Sequence, residues 1–270
     1  MKINWFPGHM NKALKDISDQ LKKVDVVTYI LDARIPISSL NPTLSQMTEN
    51  KPILYVINKI DMADEWRIKE LLPQFKGENV DYILFNSTMS GKSDLIVSKL
   101  KKLASKKIEK YKAKGIKATI RTMIVGVPNC GKSTLVNNLS KKAKAITGNK
   151  AGVTKHGLWL PIGDCIEVYD TPGTLYPNIS DQEVAKKLAY VGSVRDEILD
   201  FNELSVELMK LLQEKYPVLV KNRYGDAKTI EEIALQRKYV IGGGQVDYER
   251  AAKVVIDDFR KGRIGKITLD

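Results

Sequence analysis

The stretch TIRTMIVGVPNCGKSTLVNNLSKK, residues 119–142, joins a hydrophobic run, a glycine-containing turn and an amphipathic segment. The run Thr119–Gly126 has the β-branched residues typical of a buried strand. From Gly126 to Ser133 the spacing G-x-x-x-x-G-K-S matches a phosphate-binding loop in full, and Lys132 begins a predicted helix. In such a loop, backbone N–H groups at a helix N-terminus surround phosphate oxygens. The stretch therefore predicts a site for a nucleoside triphosphate.

The side chains of this loop have distinct expected roles. Lys132 neutralises charge on the β- and γ-phosphates, so we assign it to catalysis as well as to nucleotide binding. Ser133 gives its hydroxyl to Mg²⁺. The other predicted nucleotide contacts of the loop are Gly126, Asn129, Cys130, Gly131 and Thr134.

A second motif, NKID, follows the hydrophobic run Pro52–Lys59 and precedes the phosphate loop in the chain. A carboxylate at Asp61 can accept hydrogen bonds from both N1–H and the exocyclic amine of guanine, a pairing that adenine cannot offer. We expect the Lys59 stem to lie along the purine face and Asn58 to tie the loop to its neighbours. Parallel sheets bind ligands at the carboxyl ends of their strands, which is where this motif lies. The predicted guanine-reading residues are Asn58, Lys59, Ile60 and Asp61.

Three further segments complete the predicted site. In DTPG, Asp170 is a candidate outer ligand of Mg²⁺, and the backbone N–H of Gly173 is placed to sense a γ-phosphate. Thr154, in AGVTKH, is expected to complete the Mg²⁺ shell and to act in catalysis. Asn86 and Ser87, in FNSTMSG, are expected to contact the guanine O6 through the backbone.

Alternating strand-like and helix-like patterns predict an α/β fold. The predicted strands are Val24–Ala33, Pro52–Lys59, Val80–Ser87, Thr119–Gly126 and the two arms of a hairpin within Leu158–Asp170. The predicted helices are Asn11–Lys23, Asp64–Phe75, Gly91–Lys114, Lys132–Lys142, Asp181–Tyr190, Asn202–Lys215, Ile230–Arg237 and Asp247–Lys261. Together with the phosphate loop and the NKID motif, the pattern predicts a six-stranded, mostly parallel P-loop GTPase sheet in residues 1–178, with an N-terminal extension over 1–23. Residues 179–270 are predicted to form a small all-α domain.

Composition limits the classes of function. The chain of 270 residues is 43% hydrophobic and 28% charged, without an apolar run long enough to span a membrane. Its N-terminus lacks the features of a secretory signal, and Cys130 and Cys165 are its two cysteines, which suits a reducing cytoplasm. A net charge of +12 favours a polyanionic partner, whereas 7% aromatic residues argue against an extensive base-stacking platform.

The order of the motifs points to a known family. They resemble the five signatures of translation-factor-type GTPases in the order fourth, fifth, first, second, third. That order, together with NWFPGHMNKA (Asn4–Ala13), LDARIPISS (Leu31–Ser39) and DTPGTLYP (Asp170–Pro177), resembles the circularly permuted GTPases of the YlqF/YawG group. The likeness covers essentially the whole chain and is closest to the bacterial ribosome biogenesis members. It implies GTP hydrolysis coupled to late assembly of the large ribosomal subunit, with that subunit or its precursor and rRNA as partners.

The position after DTPG, where many GTPases place a water-orienting Gln, holds Thr174. Hydrolysis is therefore expected to be slow alone and to need another group, an added ion or a bound partner. His9, in the family-like N-terminal motif, is the candidate for positioning water, and a structural or partner-binding role is its alternative. In similar GTPases an Asn at the place of Asn129 helps to bind K⁺, so the resemblance implies K⁺ as a second cofactor beside the Mg²⁺ expected at Ser133.

Basic residues around aromatic ones near the C-terminus are candidates for contacts with the RNA backbone. They are Arg250, Lys253, Arg260, Lys261 and Arg263. The leading hypothesis is a monomeric switch enzyme that docks on a preribosomal particle. Two alternatives stay open: a GTP-gated RNA-binding scaffold with negligible turnover, and a GTPase that serves RNA modification or a membrane-surface partner.

Overall fold

The structure, a computed structural model, describes residues 3, 8–89, 93–140, 158–175 and 179–270. For residues 8–10, 93 and 158 the structure describes the backbone but not the side chain. None of the described helices combines the length and apolar character needed to cross a membrane.

One sheet organises the N-terminal two thirds of the chain. Its strands are β1 (Val26–Asp32), β2 (Ile53–Asn58), β3 (Val80–Leu84), β4 (Ile120–Val125), β5 (Leu158–Ile162) and β6 (Ile166–Asp170). They lie in the order β3-β2-β1-β4-β6-β5, and all neighbours are parallel except β5 and β6. The predicted six-stranded, mostly parallel sheet is therefore confirmed. The motifs that follow β2, β3, β4 and β6 meet at one edge because the carboxyl ends of parallel strands lie together.

Eleven α-helices surround or follow the sheet in the part of the chain that the structure describes. They are α1 (Gly8–Leu21), α2 (Pro42–Thr48), α3 (Glu65–Leu71), α4 (Ser93–Leu103), α5 (Ser105–Lys112), α6 (Lys132–Leu139), α7 (Gln182–Tyr190), α8 (Phe201–Lys215), α9 (Pro217–Tyr224), α10 (Ile230–Gln236) and α11 (Tyr248–Arg260). The C-terminal region is helical, as predicted. Its centre is the pairing of α8 with α11, each of which buries an apolar face.

Helix boundaries differ from the sequence prediction where local chemistry intervenes. The helix predicted over Asp64–Phe75 is α3 followed by a 3-10 turn, since Pro73 cannot donate to the helical ladder. Where one helix was predicted over Gly91–Lys114, the described residues form α4 and α5, which meet at Ala104, whose ψ of 13° is not helical. The prediction missed α2 and α9, which begin at Pro42 and Pro217. Proline at the first helical position is a known start signal that could have found both.

Side chains that alternate along the strands fill two cores. Tyr29 and Leu31 of β1 pack on one face of the sheet, on the side of α1, α2 and α3. Ile30 of β1 packs on the other face, where α4 and α6 share one continuous core with α7, α8 and α11. The helical C-terminal region therefore rests on the same sheet face as the helix that follows the phosphate loop.

The last segment of the chain returns to the sheet domain. The backbone N–H of Ile267 donates to the carbonyl of Met62 at 2.9 Å, and that of Leu269 donates to Arg34 at 2.7 Å. The Thr268 hydroxyl donates to the carbonyl of Ala33 at 3.0 Å. Residues 267–269 thus brace the loops that follow β1 and β2.

Candidate nucleotide site

The phosphate loop runs from the end of β4 to the start of α6. Gly126 and Gly131 have φ values of 150° and 102°, which L side chains rarely adopt, and thereby turn the backbone into the helix. Lys132 is buried, and its ammonium group donates to the carbonyls of Val127 at 2.7 Å and Gly126 at 3.1 Å. The amine is thus held within the loop, where phosphate charge is expected. The Cys130 side chain is buried and its carbonyl faces Asn58, while Thr134 is half-buried on α6.

Asn58 joins three loops of the site. Its amide nitrogen donates to the carbonyl of Cys130 at 2.8 Å and to the hydroxyl of Ser87 at 3.0 Å. Its side-chain oxygen accepts the backbone N–H of Ser87 at 2.9 Å. These bonds fix the guanine-reading loop to the phosphate loop and to the loop after β3, as the sequence predicted for this residue.

Lys59 connects the guanine-reading loop to the phosphate loop from the other side. Its backbone is left-handed, with φ 62°, and its ammonium group donates to the carbonyl of Asn129 at 2.6 Å and to Asp32 at 2.8 Å. The aliphatic stem is thereby fixed between the two loops. This geometry fits the predicted position of the stem along a purine.

Asp32 and Arg34 form a buried ion pair behind Lys59 that sequence reasoning did not predict. Their side chains are 1% exposed, and the Arg34 guanidinium donates to both Asp32 oxygens, at 2.9 and 2.7 Å. Burial alone would raise the pKa of Asp32, but Arg34 and Lys59 hold that pKa below its ordinary value. Asp32 is therefore a carboxylate that both cations hold in place. The only sequence signal was the motif LDARIPISS, which entered as a family likeness.

Arg34 also reaches the C-terminal helix α11. Its remaining terminal nitrogen donates to the carbonyls of Arg260 at 3.0 Å and Phe259 at 3.2 Å. Cations interact favourably with the carbonyls of a helix C-terminus. Arg34 thus links the last turn of α11, through Asp32 and Lys59, to the phosphate loop.

The segment after α7 contacts the phosphate loop directly. The Asn129 amide donates to the carbonyl of Gly192 at 2.5 Å, and the Ser193 hydroxyl donates to that of Pro128 at 2.7 Å. Arg260 stabilises this segment because its guanidinium donates to the carbonyls of Ala189 at 2.9 Å and Tyr190 at 3.2 Å. The helical region therefore contacts the phosphate loop at two successive residues.

The DTPG segment also lies against the phosphate loop. A Cβ on Gly173 would lie 2.7 Å from the Cα of Pro128 and 2.9 Å from the Lys132 amine, so a side chain does not fit there. Asp170 lies 3.3 Å from the Ser133 hydroxyl, and its second oxygen is buried without a hydrogen-bond partner among the described residues. Burial raises the pKa of the Asp170 carboxyl, and Lys132 and Ser133 offset part of that effect.

The remaining candidate ligands of the base occupy more open positions. Asp61 is exposed on a 3-10 turn, and its carboxylate has no partner in the described ranges. The Asn86 side chain accepts hydrogen bonds from the backbone N–H of Thr88 at 2.9 Å and from its hydroxyl at 2.6 Å. Ile60 is half-buried, and its N–H donates to the carbonyl of Phe85 at 3.3 Å. Asp61 is thus available to an incoming base.

Two predicted catalytic groups fall on parts of the chain outside the description. Thr154 lies in the segment 141–157, which is not among the described residues. The backbone of His9 belongs to the first turn of α1, and its side chain is likewise outside the description. Their roles stay predictions.

The five candidate RNA contacts of the C-terminal region all make interactions within the protein. Lys253 pairs with Glu249, Lys261 with Asp257, and Arg263 with Asp257 and Asp258. Arg250 stacks over the ring of Tyr239 at 4.4 Å. Arg260 uses its guanidinium for Asp196 and for the carbonyls at the end of α7, so a structural role accounts for its position.

Gly131→Ala is expected to weaken GTP binding by at least about tenfold. An added Cβ would lie 2.2 Å from the Asn58 amide nitrogen, which its bonds to Cys130 and Ser87 hold in place. Gly163→Ala is the matched control, since Gly163 is also left-handed, with φ 58°, but nothing lies within 4 Å of its added Cβ. Each substitution costs about 1–2 kcal/mol of backbone strain. Titration with a fluorescent GTP analogue separates the two variants; equal affinities would show that close approach to Asn58 is unimportant.

Comparisons with known proteins agree with this geometry. A family model described as "50S ribosome-binding GTPase" matches residues 121–232. "Ribosome biogenesis GTPase A" of Priestia megaterium is 39% identical over 280 residues, covering 100% of this chain and 97% of that protein. "Mitochondrial ribosome-associated GTPase 1" of Xenopus tropicalis is 31% identical over 294 residues, with coverage of 99% and 94%.

A solved structure agrees as well. The crystal structure of GNP-bound YlqF from T. maritima superposes with a TM-score of 0.71 at 26% identity, covering 96% of this chain and 97% of that one. The predicted family and the predicted enzyme class are confirmed. The chain therefore belongs to the ribosome biogenesis GTPase A family of circularly permuted, GTP-hydrolysing enzymes.

Proposed function

We propose that this enzyme couples GTP hydrolysis to late assembly of the large ribosomal subunit, through contacts of its helical region with rRNA. One observation carries the coupling. Gly192 and Ser193, at the start of the helical region, bond directly to Asn129 and Pro128 of the phosphate loop. A change in that loop on nucleotide exchange therefore reaches the helical region without an intermediate element.

The residues present fit a Mg²⁺ ion. A serine hydroxyl and a buried carboxylate are the hard oxygen donors that Mg²⁺ prefers, and one Asp170 oxygen lacks a partner among the described residues. Ser133 would bind the ion directly, Asp170 would hold its outer shell, and Thr154 would complete the set. The ion would supply positive charge to the β- and γ-phosphate oxygens.

The group that orients water is proposed to come from outside DTPG. Thr174 is 1% exposed, and its buried hydroxyl has no hydrogen-bond partner in the described part of the chain. The carbonyl of Thr174 accepts the Asn41 amide at 3.2 Å, which keeps the residue turned inward. We therefore assign the water to His9, presented when a partner binds. K⁺ beside Asn129, through its side-chain oxygen, would supply the charge of an arginine finger.

The chain is proposed to divide into two domains. Residues 1–178 are proposed as the nucleotide-binding domain and 179–270 as the ribosome-binding domain. A shift between the GDP and GTP forms requires that the ribosomal partner prefer one of them. The protein is proposed to act as a cytoplasmic monomer, with GTP and GDP as its small-molecule ligands.

A GTP-gated RNA-binding scaffold is the second candidate. The inward orientation of Thr174 favours it because the position that usually orients water offers no group to the nucleotide. In this case GTP would control binding, and turnover would stay negligible even on the ribosome. The two candidates therefore differ in the effect of the partner on the rate of hydrolysis.

The test measures GTP turnover with purified large or small subunits, in K⁺ and in Na⁺ at matched ionic strength. We expect stimulation of at least about tenfold by the large subunit alone, and faster turnover in K⁺. His9→Ala is expected to remove the stimulation while GTP affinity stays unchanged. Binding to the large subunit without stimulation would establish the scaffold instead. Equal rates in the two salts would remove the K⁺ assignment.

A further inference from the structure

A lysine-rich surface covers α4, α5 and the loop that follows them. Residues 95–117 contain nine lysines and one acidic residue, Glu109. We call this set the α4–α5 lysine surface; its lysines are Lys99, Lys101, Lys102, Lys106, Lys107, Lys110, Lys112, Lys114 and Lys117. The nucleotide site does not use any of them.

Most of these lysines are not neutralised by the protein. Lys99 pairs with Asp81 at 2.7 Å, Lys107 with Asp25 at 2.7 Å, and Lys117 approaches Asp164 at 4.0 Å. The other six are exposed and have no ion pair among the described residues; they are Lys101, Lys102, Lys106, Lys110, Lys112 and Lys114. The basic residues of α11 and its C-terminal end, by contrast, make contacts within the protein. The unneutralised charge is therefore concentrated on the nucleotide-binding domain.

The geometry of α4 and α5 determines which way these lysines face. The opposite face of α4 is fixed in the core by Ile96 and Leu100, so its lysines point to solvent. On α5, Lys106 and Lys110 are four residues apart, which places their side chains on one side of that helix with Cβ atoms about 6 Å apart. The chain stays helical past the bend, since the N–H of Ile108 donates to the carbonyl of Ala104 at 3.1 Å. Lys102 lies on α4, across the bend at Ala104, so the three lysines succeed one another along the two helices.

The α4–α5 lysine surface lies away from the nucleotide. The Lys107 ammonium donates to Asp25 and to the carbonyl of Thr119, each at 2.7 Å. Those residues immediately precede β1 and β4, at the edge of the sheet opposite the carboxyl ends that bear the motifs. A ligand on the α4–α5 lysine surface would therefore not touch GTP.

We propose that the α4–α5 lysine surface binds the phosphate backbone of double-stranded RNA, with equal affinity in the GDP and GTP forms. Lysines are point charges that contact phosphates without reading bases. RNA fits better than a membrane because Leu95 and Ile116, the most exposed apolar side chains here, lie at the two ends rather than among the lysines. Only the ribosomal origin of the RNA rests on the proposed function.

The test uses Lys102→Ala, Lys106→Ala and Lys110→Ala combined in the full-length protein. The control combines Lys22→Ala, Lys69→Ala and Lys76→Ala, three exposed lysines of the nucleotide-binding domain outside this surface that remove the same charge. Binding to an RNA duplex of about 20 base pairs is measured by fluorescence anisotropy over a range of KCl concentrations. We expect the first variant to lower the salt dependence, the slope of log K against log [KCl], by about 2–3. The control should change that slope by less than about 1.

The difference in slope between the two variants should be the same when GDP is bound and when a GTP analogue is bound. Unchanged GTP affinity serves as the check that the first variant is folded. Equal slopes for the two variants would overturn the proposal. So would a loss of binding in the first variant that is seen with vesicles containing phosphatidylserine, or with polyglutamate, but not with the RNA duplex. Because the duplex assay contains no ribosomal subunit, its outcome does not depend on whether the large subunit stimulates turnover.

Discussion

Arg34→Ala is expected to lower the free energy of unfolding by about 3–5 kcal/mol, the usual cost of removing one partner from a buried ion pair. Arg34 and Asp32 are both 1% exposed at their side chains, so Arg34→Ala leaves the buried carboxylate without one of its two cations. The carbonyls of Phe259 and Arg260 lose their donor in the same step. Chemical denaturation monitored by circular dichroism measures the change.

The same variant is expected to weaken GTP binding. Asp32 then has Lys59 as its one remaining cation, which draws the Lys59 ammonium toward the carboxylate and away from the carbonyl of Asn129. Arg34→Lys keeps the charge but not the two-pronged geometry, so an intermediate loss is expected. Arg121→Ala is the control, because an exposed arginine paired with Glu167 contributes less than about 1 kcal/mol. A similar loss of stability in the Arg121 and Arg34 variants would contradict the assignment.

The pH dependence of the stability loss distinguishes an ion pair from simple packing. The pKa of Asp32 is lower in the folded protein than in the unfolded chain, where it is near 4. Ion pairing of Asp32 therefore stabilises the fold above about pH 4 and is lost as the pH falls toward the folded value. The difference in the free energy of unfolding between wild type and Arg34→Ala should become smaller below about pH 4. A difference that stays constant would indicate that lost packing dominates.

Asp61→Asn is expected to weaken GTP binding by about 10²–10⁴. Two hydrogen bonds to the charged carboxylate are lost, each worth about 1.5–3 kcal/mol. The amide should instead favour xanthosine triphosphate, since its nitrogen can donate to the carbonyl that xanthine carries in place of the guanine amine. Competition titrations with the two nucleotides measure this exchange of preference.

Asp64→Asn is the matched control for the base-reading assignment. Asp64 caps α3 by accepting the N–H of Trp66 at 3.0 Å, and asparagine caps a helix equally well. Its GTP affinity should therefore stay within about threefold of wild type. If Asp61→Asn also retained its preference for GTP, the base would have to be read elsewhere.

The parts of the site that depend on short segments were predictable from the sequence. The phosphate loop combines a strand, two glycines and a helix within adjacent residues, and Asn58 follows its strand directly. Such features can be predicted from a short stretch of sequence because their functional residues are adjacent in the chain. The placement of Asn58 against Ser87 and Cys130 then followed from the parallel order of the strands.

The parts that depend on distant partners were not predictable. Arg260 was predicted to contact RNA because helical spacing put it beside other basic residues. Its partners, Ala189, Tyr190 and Asp196, come from a segment whose position the α11 sequence does not reveal. Arg34 likewise gave no local sign that it would be buried. Which buried charges pair with each other depends on the tertiary structure, and a single sequence does not reveal it.

The bonds from residues 267–269 to the loops after β1 and β2 have a consequence for how the protein folds during its synthesis. Thr268 lies 235 positions beyond Ala33, its partner. Contacts of such long sequence separation form late, and they slow folding because the intervening chain must first be ordered. On a translating ribosome, the base-reading loop therefore emerges long before the segment that braces it. The enzyme is completed as a nucleotide-binding protein only after residues 267–269 have been made.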